Sequence, residues 1–390
     1  MNNEKKAVVT RLAVNGLDIR FLFIMSDIRH ADSITAEPVD SDPVGTVYAA
    51  RITDLIASPS AAFASIKDNE NAFISGSELN KAIILHGDRK KITGSTILAS
   101  KKREKVKGKY VTLSSEISLH SRHLILINKP GGLHISKKTG KEDHIKLKYG
   151  LENLVPHDMT VITRTDAADV STDYLKNECS DLLFQYRDLL KKAATSADSS
   201  VIYRPLGIVS DLALHLTSND ASEIISDDKE FIEEYKRHKA SLPLREYKDD
   251  YPLKKLYCLQ SVLDHAGDRI VHLKSGADIV IDETEAMNVI DVNTACHVSK
   301  GSRYEDFLAV NKEAAEEIAR QMKIRNLSGI IIVDFLKMRD SSDEEKIIDL
   351  MKDLTREDWF HVDVIGFTKL GLLEMTRKKR LMPLSQLLTH

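Results

Sequence analysis

No apolar run in this 390-residue chain approaches the length needed to cross a bilayer, and its start (MNNEKKAVVTRLAV) lacks a long apolar core followed by a small-residue cleavage site. Membrane spans and a cleaved leader are therefore not expected, and the protein is expected in the cytoplasm. Cysteine is scarce: Cys179, Cys258 and Cys296 form no CxxC pair and no even set, which supports neither a disulfide framework nor a cysteine zinc site. A charge excess of one sign is missing as well. With 56 Lys and Arg against 59 Asp and Glu the net charge is -3, so any nucleic-acid surface must come from local clustering of the basic residues. The rest of the composition, 42% hydrophobic and 29% charged, is that of an ordinary globular protein with a real core. A chain of this length holds about two to four domains.

Two apolar, β-branched runs end in aspartate: Ile290-Asp291-Val292-Asn293, and Gly329 to Phe335 (GIIIVDF). A buried strand that delivers a carboxylate to the edge of a sheet has this form. Between them Glu305 to Arg325 (EDFLAVNKEAAEEIARQMKIR) lacks Gly and Pro and spaces Leu308, Ala315, Ile318 and Met322 close to a helical period. Strand, helix, strand is a βαβ unit, so the strands are expected parallel, with a right-handed connection and both C-terminal ends at one edge. Asn293, two residues past Asp291, then points to the same side and can hydrogen-bond a water or a substrate phosphate. Asp291, Asn293 and Asp334 make a candidate hard-cation site. Asp291 and Asp334 would ligate magnesium, with manganese as a substitute. Taken alone, each aspartate can equally well just end a strand in a turn. Cys296-His297 close behind would suit a softer metal, but no third sulfur or nitrogen ligand stands nearby, and zinc is not expected.

From Gly45 to about Leu113 the chain reads as short strands broken by turns, the pattern of a small barrel. Phe63 and Phe73 each follow an alanine, on strands joined by the turn KDNEN, and could present rings on one barrel face. In an oligonucleotide-binding barrel such rings stack on bases. The most basic stretch, Lys101 to Lys109 (KKREKVKGK), follows and suits a phosphate-tracking groove. The bland alternatives are core phenylalanines and a solvated lysine loop. Farther on, Arg164-Thr165 sits at the end of an apolar strand and before a helix expected over Thr172 to Ala194. An arginine there, with a threonine hydroxyl and free backbone N–H groups, suits a terminal phosphate.

The stretches IDETEAMNVIDVNT, AVNKEAAEEIARQMKIRNLSGIIIVDF and GLLEMTRKKR resemble, in wording and order, the catalytic region of the ribonuclease E/G family. The resemblance implies a multidomain α/β protein of class α+β: an RNase-H-like subdomain from residues 1–41 and 206–267, an S1-type RNA-binding barrel over 42–120, a 5′-phosphate sensor region over 121–205, and a DNase-I-like catalytic subdomain over 268–390. It implies that Phe63, Phe73 and Lys107 contact RNA, that Arg164 and Thr165 bind a 5′-monophosphate, and that Asp291, Asn293 and Asp334 are catalytic. The implied activity is magnesium-dependent endonucleolytic cleavage of single-stranded, A/U-rich mRNA or rRNA precursors, leaving a 5′-phosphate and a 3′-hydroxyl.

The chain departs from that pattern in places. It stops at RLMPLSQLLTH, where the family usually continues into a cysteine pair that clamps two subunits through zinc. A homodimer is compatible with this, whereas the zinc-linked tetramer is not expected. The sensor loop reads RTDAADVS where the family usually shows Ala-Gly after the threonine, His134 and Lys137 replace a glycine and an arginine, and Gln260 replaces a glutamate. Lys300, Arg303 and the basic run Arg377 to Arg380 are further candidates for holding an RNA backbone. An alternative reading is an RNA-binding paralogue that does not cut efficiently, and another is a metal nuclease acting on DNA.

Overall fold

The structure is a computed structural model that describes residues 4–56, 60–88, 93–103, 110–136, 139–238, 240–294, 303–379 and 381–388, with the backbone alone at 165–166 and 303–306. The chain divides into two compact units, Met1–Asp40 with Ile208–His390, and Ser41–Gly207.

In the second unit the strands Val47–Ile56, Ala61–Ser65, Asn71–Ser75, Val111–Ser114 and Thr96–Arg103 pair in that order. Thr96–Arg103 pairs back onto Val47–Ile56, so the five strands close into a barrel without an open edge. This is the expected small barrel, and it fits an OB/S1-type domain. Its interior is filled by Tyr48, Ile52, Ile74, Ile97, Leu113 and a set of alanines, small enough to let the strands curl tightly. A four-stranded sheet follows, in the order Ser118–His120, Leu124–Ile127, Thr160–Thr163, Gly132–His134. The helix Thr172–Ala194 packs Leu175, Cys179, Leu182, Tyr186 and Leu189 onto Leu124, Leu126 and Val161 of that sheet. These residues are alternately four and three apart, the 3.6-residue period of an amphipathic helix, over the span expected from the sequence.

The first unit contains two sheets. One has five strands in the order Leu244–Glu246, Ile224–Ser226, Lys6–Val14, Leu17–Met25, Ala31–Pro38. Its hairpin turns on Asn15 and Gly16, both at positive φ (51° and 80°), as a two-residue type I′ loop requires. The other has six strands in the order Ile270–His272, Ala277–Glu283, Met287–Thr294, Gly329–Asp334, Leu372–Arg377, Val362–Phe367.

The two aspartate-bearing strands are parallel neighbours in the six-stranded sheet, and the helix Arg303–Ile324 lies between them in sequence, as the βαβ reading expects. One face of this sheet is dry: Ile279, Ile290, Val292, Ile331, Val333, Leu373 and Met375 pack against Ala314, Ala315, Ile318 and Met322 of that helix and against Ile347 and Met351 of the helix Ser341–Thr355. Strand alternation therefore turns Asp278, Asp291, Asn293, Asp334 and Glu374 to the opposite face. Burying an Ile, Leu or Val side chain is worth about 1.5–3 kcal/mol, and a one-residue slip of either strand would expose its isoleucines and valines and bury its carboxylate. The register that sets the aspartates is held by the core behind them.

Candidate active site

Asp291 and Asp334 are direct partners across the parallel strands. Neighbouring strands lie about 4.7–4.9 Å apart, and residues paired in register share a face, so the two carboxylates stand side by side. Placing two like charges in this way is unfavourable, and a cation between them relieves it. Among the described residues no lysine or arginine forms an ion pair with either. The amide of Asn293 donates to Asp291 Oδ2 at 2.8 Å, which brings together the three residues singled out in the sequence and orients the Asp291 carboxylate. The donor set is carboxylate and amide oxygen with no imidazole or thiolate, which suits a hard cation that keeps several waters. Among the described residues no three His, Cys, Asp or Glu side chains converge tightly enough to hold an ion unaided. Cys296 and His297 lie outside the described residues.

Three neighbours on this face were not singled out in the sequence. Asp278 sits opposite Asn293 in the antiparallel register, and its Oδ1 is 2.6 Å from His272 Nδ1. Glu374 is paired with Ile332, diagonal to Asp334. The alternation of polar residues in ADIVIDE was a usable signal for Asp278, but nothing local ties His272 or Glu374 to the aspartates.

In the barrel, Phe63 and Phe73 are cross-strand partners with ring centroids 6.0 Å apart at 69°. Ala62, Ala64, Ala72 and Ile74, their neighbours along the strands, fill the interior, so the two rings lie on the outside of the barrel and outside its core. Tyr110, overlooked in the sequence because it borders the basic run, adds an exposed third ring 4.9 Å from Phe63. The basic run itself is not one uniform groove. Lys101 is buried, its Nζ donating to the Asp42 carbonyl at 2.6 Å, and Lys102 pairs with Glu78 at 3.1 Å. Its remaining members to Lys109, Lys107 included, fall outside the described residues apart from Arg103.

Arg164 follows the strand Thr160–Thr163, but the next element is a 3₁₀ turn, Thr165–Asp169, and not the long helix. That helix begins at Thr172 and is capped by Ser171, whose Oγ accepts from the Tyr174 N–H at 3.2 Å. The backbone N–H of Arg164 donates to the His123 carbonyl at 2.8 Å. His123 is held in turn by Glu178, which accepts from its backbone N–H at 2.9 Å and lies 3.0 Å from its Nδ1. Burial would raise the Glu178 carboxyl, but these hydrogen bonds from His123 hold it below its usual range. His134 is exposed on the strand Gly132–His134, Lys137 lies outside the described residues, and Gln260 donates to Asp264 at 2.9 Å.

A sequence profile described as "Ribonuclease E/G family" matches residues 118–380, two thirds of the chain and all of the aspartate-bearing sheet. The chain belongs to the ribonuclease E/G family. It is an enzyme of the ribonuclease type. Among characterised relatives it is 28% identical to ribonuclease G of Haemophilus influenzae over 356 residues, 86% of this chain and 72% of that protein. It is 29% identical to ribonuclease E of Escherichia coli over 353 residues, 85% of this chain but 33% of that protein. Against ribonuclease E of Synechocystis the figures are 27% over 369 residues, 87% of this chain and 53% of that protein. Arg164, Asp291, Asn293 and Asp334 lie inside the family match, and the aromatic strands of the barrel precede it.

One basic candidate of this family member is corrected. Arg377 is buried, donates twice to Asp358 at 3.0 Å and lies 4.9 Å over the Phe360 ring, so its guanidinium is spent inside the protein and is not available to an RNA backbone. Alternation along the strand Leu372–Arg377 turns it inward, which a run of basic letters does not reveal. Lys300 and Arg380 lie outside the described residues. No helix among the described residues is long and apolar enough to cross a membrane.

Proposed function

We propose that this ribonuclease E/G member is a magnesium-dependent endoribonuclease that cuts single-stranded, A/U-rich RNA during processing and decay of rRNA and mRNA precursors, leaving a 5′-phosphate and a 3′-hydroxyl. The observation that carries the reading is the side-by-side placement of Asp291 and Asp334 on the open face of the six-stranded sheet. Asp291 and Asp334 would hold the ion, and Asn293, by donating to Asp291, fixes the carboxylate rotamer and leaves its own carbonyl free to accept from a water. When bound, magnesium supplies a water of lowered pKa and neutralises charge growing on the phosphoryl oxygens. The open face gives a phosphodiester direct access to the pair, and single strands are favoured because stacking on exposed aromatic rings needs splayed bases.

The aromatic cluster of Phe63, Phe73 and Tyr110 is read as a stacking platform for unpaired bases, with Lys107 on the adjoining loop. Arg164 and Thr165 are read as the anchor for a 5′-monophosphate. The five-stranded sheet is read as the RNase-H-like subdomain, the barrel as the S1-type domain, the four-stranded sheet as the sensor region and the six-stranded sheet as the DNase-I-like catalytic subdomain. The test is cleavage of a short fluorescent 5′-monophosphorylated A/U-rich RNA in magnesium, beside EDTA and the Asp291→Asn and Asp334→Asn variants. Magnesium-dependent cutting lost in both variants is the expected result. RNA binding without cutting, with manganese also tried, would replace this reading with that of a binding paralogue.

A further inference from the structure

We infer that Asn311 is a positioning residue for the metal site: a buried amide on the crossover helix that clamps the backbone just beyond Asp334 and so fixes where that carboxylate points. The inference rests on the reading of Asp334 as a metal ligand. Asn311 is 0% exposed, one turn before the buried Ala314 and Ala315 and two before Ile318 on the inner face of the helix Arg303–Ile324. Its Nδ2 donates to the Leu336 carbonyl at 2.8 Å and its Oδ1 accepts the Leu336 N–H at 3.0 Å. Both backbone groups of one residue are thus taken by one side chain, as a further sheet partner would take them. The strand Gly329–Asp334 ends two residues earlier, opposite Leu372, the first residue of its antiparallel partner, so the Asn311 amide supplies Leu336 with the partner that the sheet no longer offers.

Between the two, Phe335 is buried in the core and faces Phe367 at 6.3 Å. The segment Asp334-Phe335-Leu336 is consequently fixed at three successive points: by pairing to Asp291, by a buried ring, and by the Asn311 clamp. An amide is costly to bury unless both of its ends are satisfied, and here the two backbone groups of Leu336 satisfy both. A valine or leucine would fill the same volume at less cost if packing were the only demand. The same helix is the connection between the two aspartate strands, so one rigid element carries the register of both carboxylates. Groups that orient the ligands of a metal ion typically change metal affinity or activity about 10–100-fold when removed.

The test uses the full chain with Asn311→Asp, which keeps the acceptor and the shape but loses the donor, and Asn311→Leu, which loses both. Magnesium binding without RNA is read from the concentration that gives half of the metal-dependent rise in Tm, and from manganese binding by electron paramagnetic resonance. Cleavage is then separated into kcat and KM. The expected result is a metal midpoint raised about 10–100-fold and a fall in kcat, with KM for RNA and RNA binding in EDTA unchanged. Wild-type metal midpoints and kcat in a folded Asn311→Asp protein would overturn the inference. A readout free of variants covers failure to fold: the Leu336 amide of the wild type is expected to be protected from hydrogen exchange and more so with magnesium, and an unprotected Leu336 amide would overturn the clamp. Asp334→Asn is measured in parallel. If it leaves metal binding intact, the metal-site reading itself has failed and takes the inference with it, whereas loss of binding there beside unaffected Asn311 variants sinks the clamp alone.

Discussion

The first unit holds two sheets, and each carries aspartate on or just beyond a strand, yet the two sets of carboxylates live in opposite surroundings. Asp228 follows the strand Ile224–Ser226 in the five-stranded sheet. Its side chain is 2% exposed and its Oδ2 receives Arg20 at 2.6 Å and Arg11 at 2.9 Å. Its Oδ1 caps the helix Lys229–Arg237 by accepting from the N–H groups of Glu230 and Phe231. Burial would raise this carboxyl, but the two guanidiniums hold it below its usual range. Asp291 and Asp334 lie on an open face beside each other, and among the described residues no cationic side chain pairs with them. A carboxylate that already has cations is part of the scaffold, and a pair left without them has capacity to offer. Availability, more than the presence of acidic residues, separates the candidate metal site from the buried cluster.

The largest expected effect breaks this comparison directly. Asp291→Asn and Asp334→Asn should each lower RNA cleavage by at least about 10²–10³-fold, the scale on which removal of one charge-stabilising group is felt, while circular dichroism and Tm stay near wild type or rise, because a like-charge contact is relieved. Asp228→Asn should do the reverse. It leaves two arginines facing a neutral amide and is expected to cost about 3–5 kcal/mol in denaturant unfolding, with cleavage per folded molecule unchanged. If Asp228→Asn abolished cleavage in folded protein, the distinction drawn between the two sheets would fall.

Phenylalanine sharpens the same contrast between scaffold and free surface. Phe21 and Phe23 stack at 5.4 Å in the core of the five-stranded sheet, whereas Phe63 and Phe73 face outward from the barrel. Phe63→Ala and Phe73→Ala are expected to weaken binding of single-stranded RNA by about 1–3 kcal/mol per stacked base with little change in Tm, as measured by fluorescence anisotropy. Unchanged affinity in both would return these rings to a purely structural role.

The smallest effect concerns acid. In the barrel, burial would raise the Glu78 carboxyl, but hydrogen bonds from the Ser115 hydroxyl and N–H, from Lys102 and from Ser114 bring it down from the usual 4.5 to about 2. A carboxyl depressed by folding stabilises above its unfolded pKa and loses that contribution as pH falls through the folded one. Stability should therefore decline between about pH 4.5 and about 2, and Glu78→Gln should flatten that part of the curve in urea unfolding from pH 6 to 2. An unaltered slope would show that other carboxyls dominate the acid limb.

Much of the architecture could be read before the structure. The helix Thr172–Ala194 stands over the span expected of it, the helix Arg303–Ile324 announced itself by period over Glu305 to Arg325, and the aspartate strands by β-branched runs. The Asn15-Gly16 pair between two β-rich runs is an equally plain hairpin signal. Where the sequence misled, the reason was direction: Lys101 and Arg377 count as basic in any composition, but each turns inward, toward the Asp42 carbonyl and the Asp358 carboxylate.

Periodicity is a local property, so the sequence by itself determined that two strands would carry an aspartate, that a helix would join them and that one face of each would be buried, although the strand of Asp291 runs on to Thr294 instead of ending at the carboxylate. Which residues of those strands stand opposite each other depends on packing between segments distant in sequence, and only the tertiary structure decided that Asp291 meets Asp334. The same holds for Asn311, an ordinary helical polar residue in the sequence, whose partner at Leu336 exists only because the crossover helix lies back over the sheet. Side-chain chemistry is written residue by residue, but register and burial are set by the whole core, and these settle which of the charged groups remain free to act.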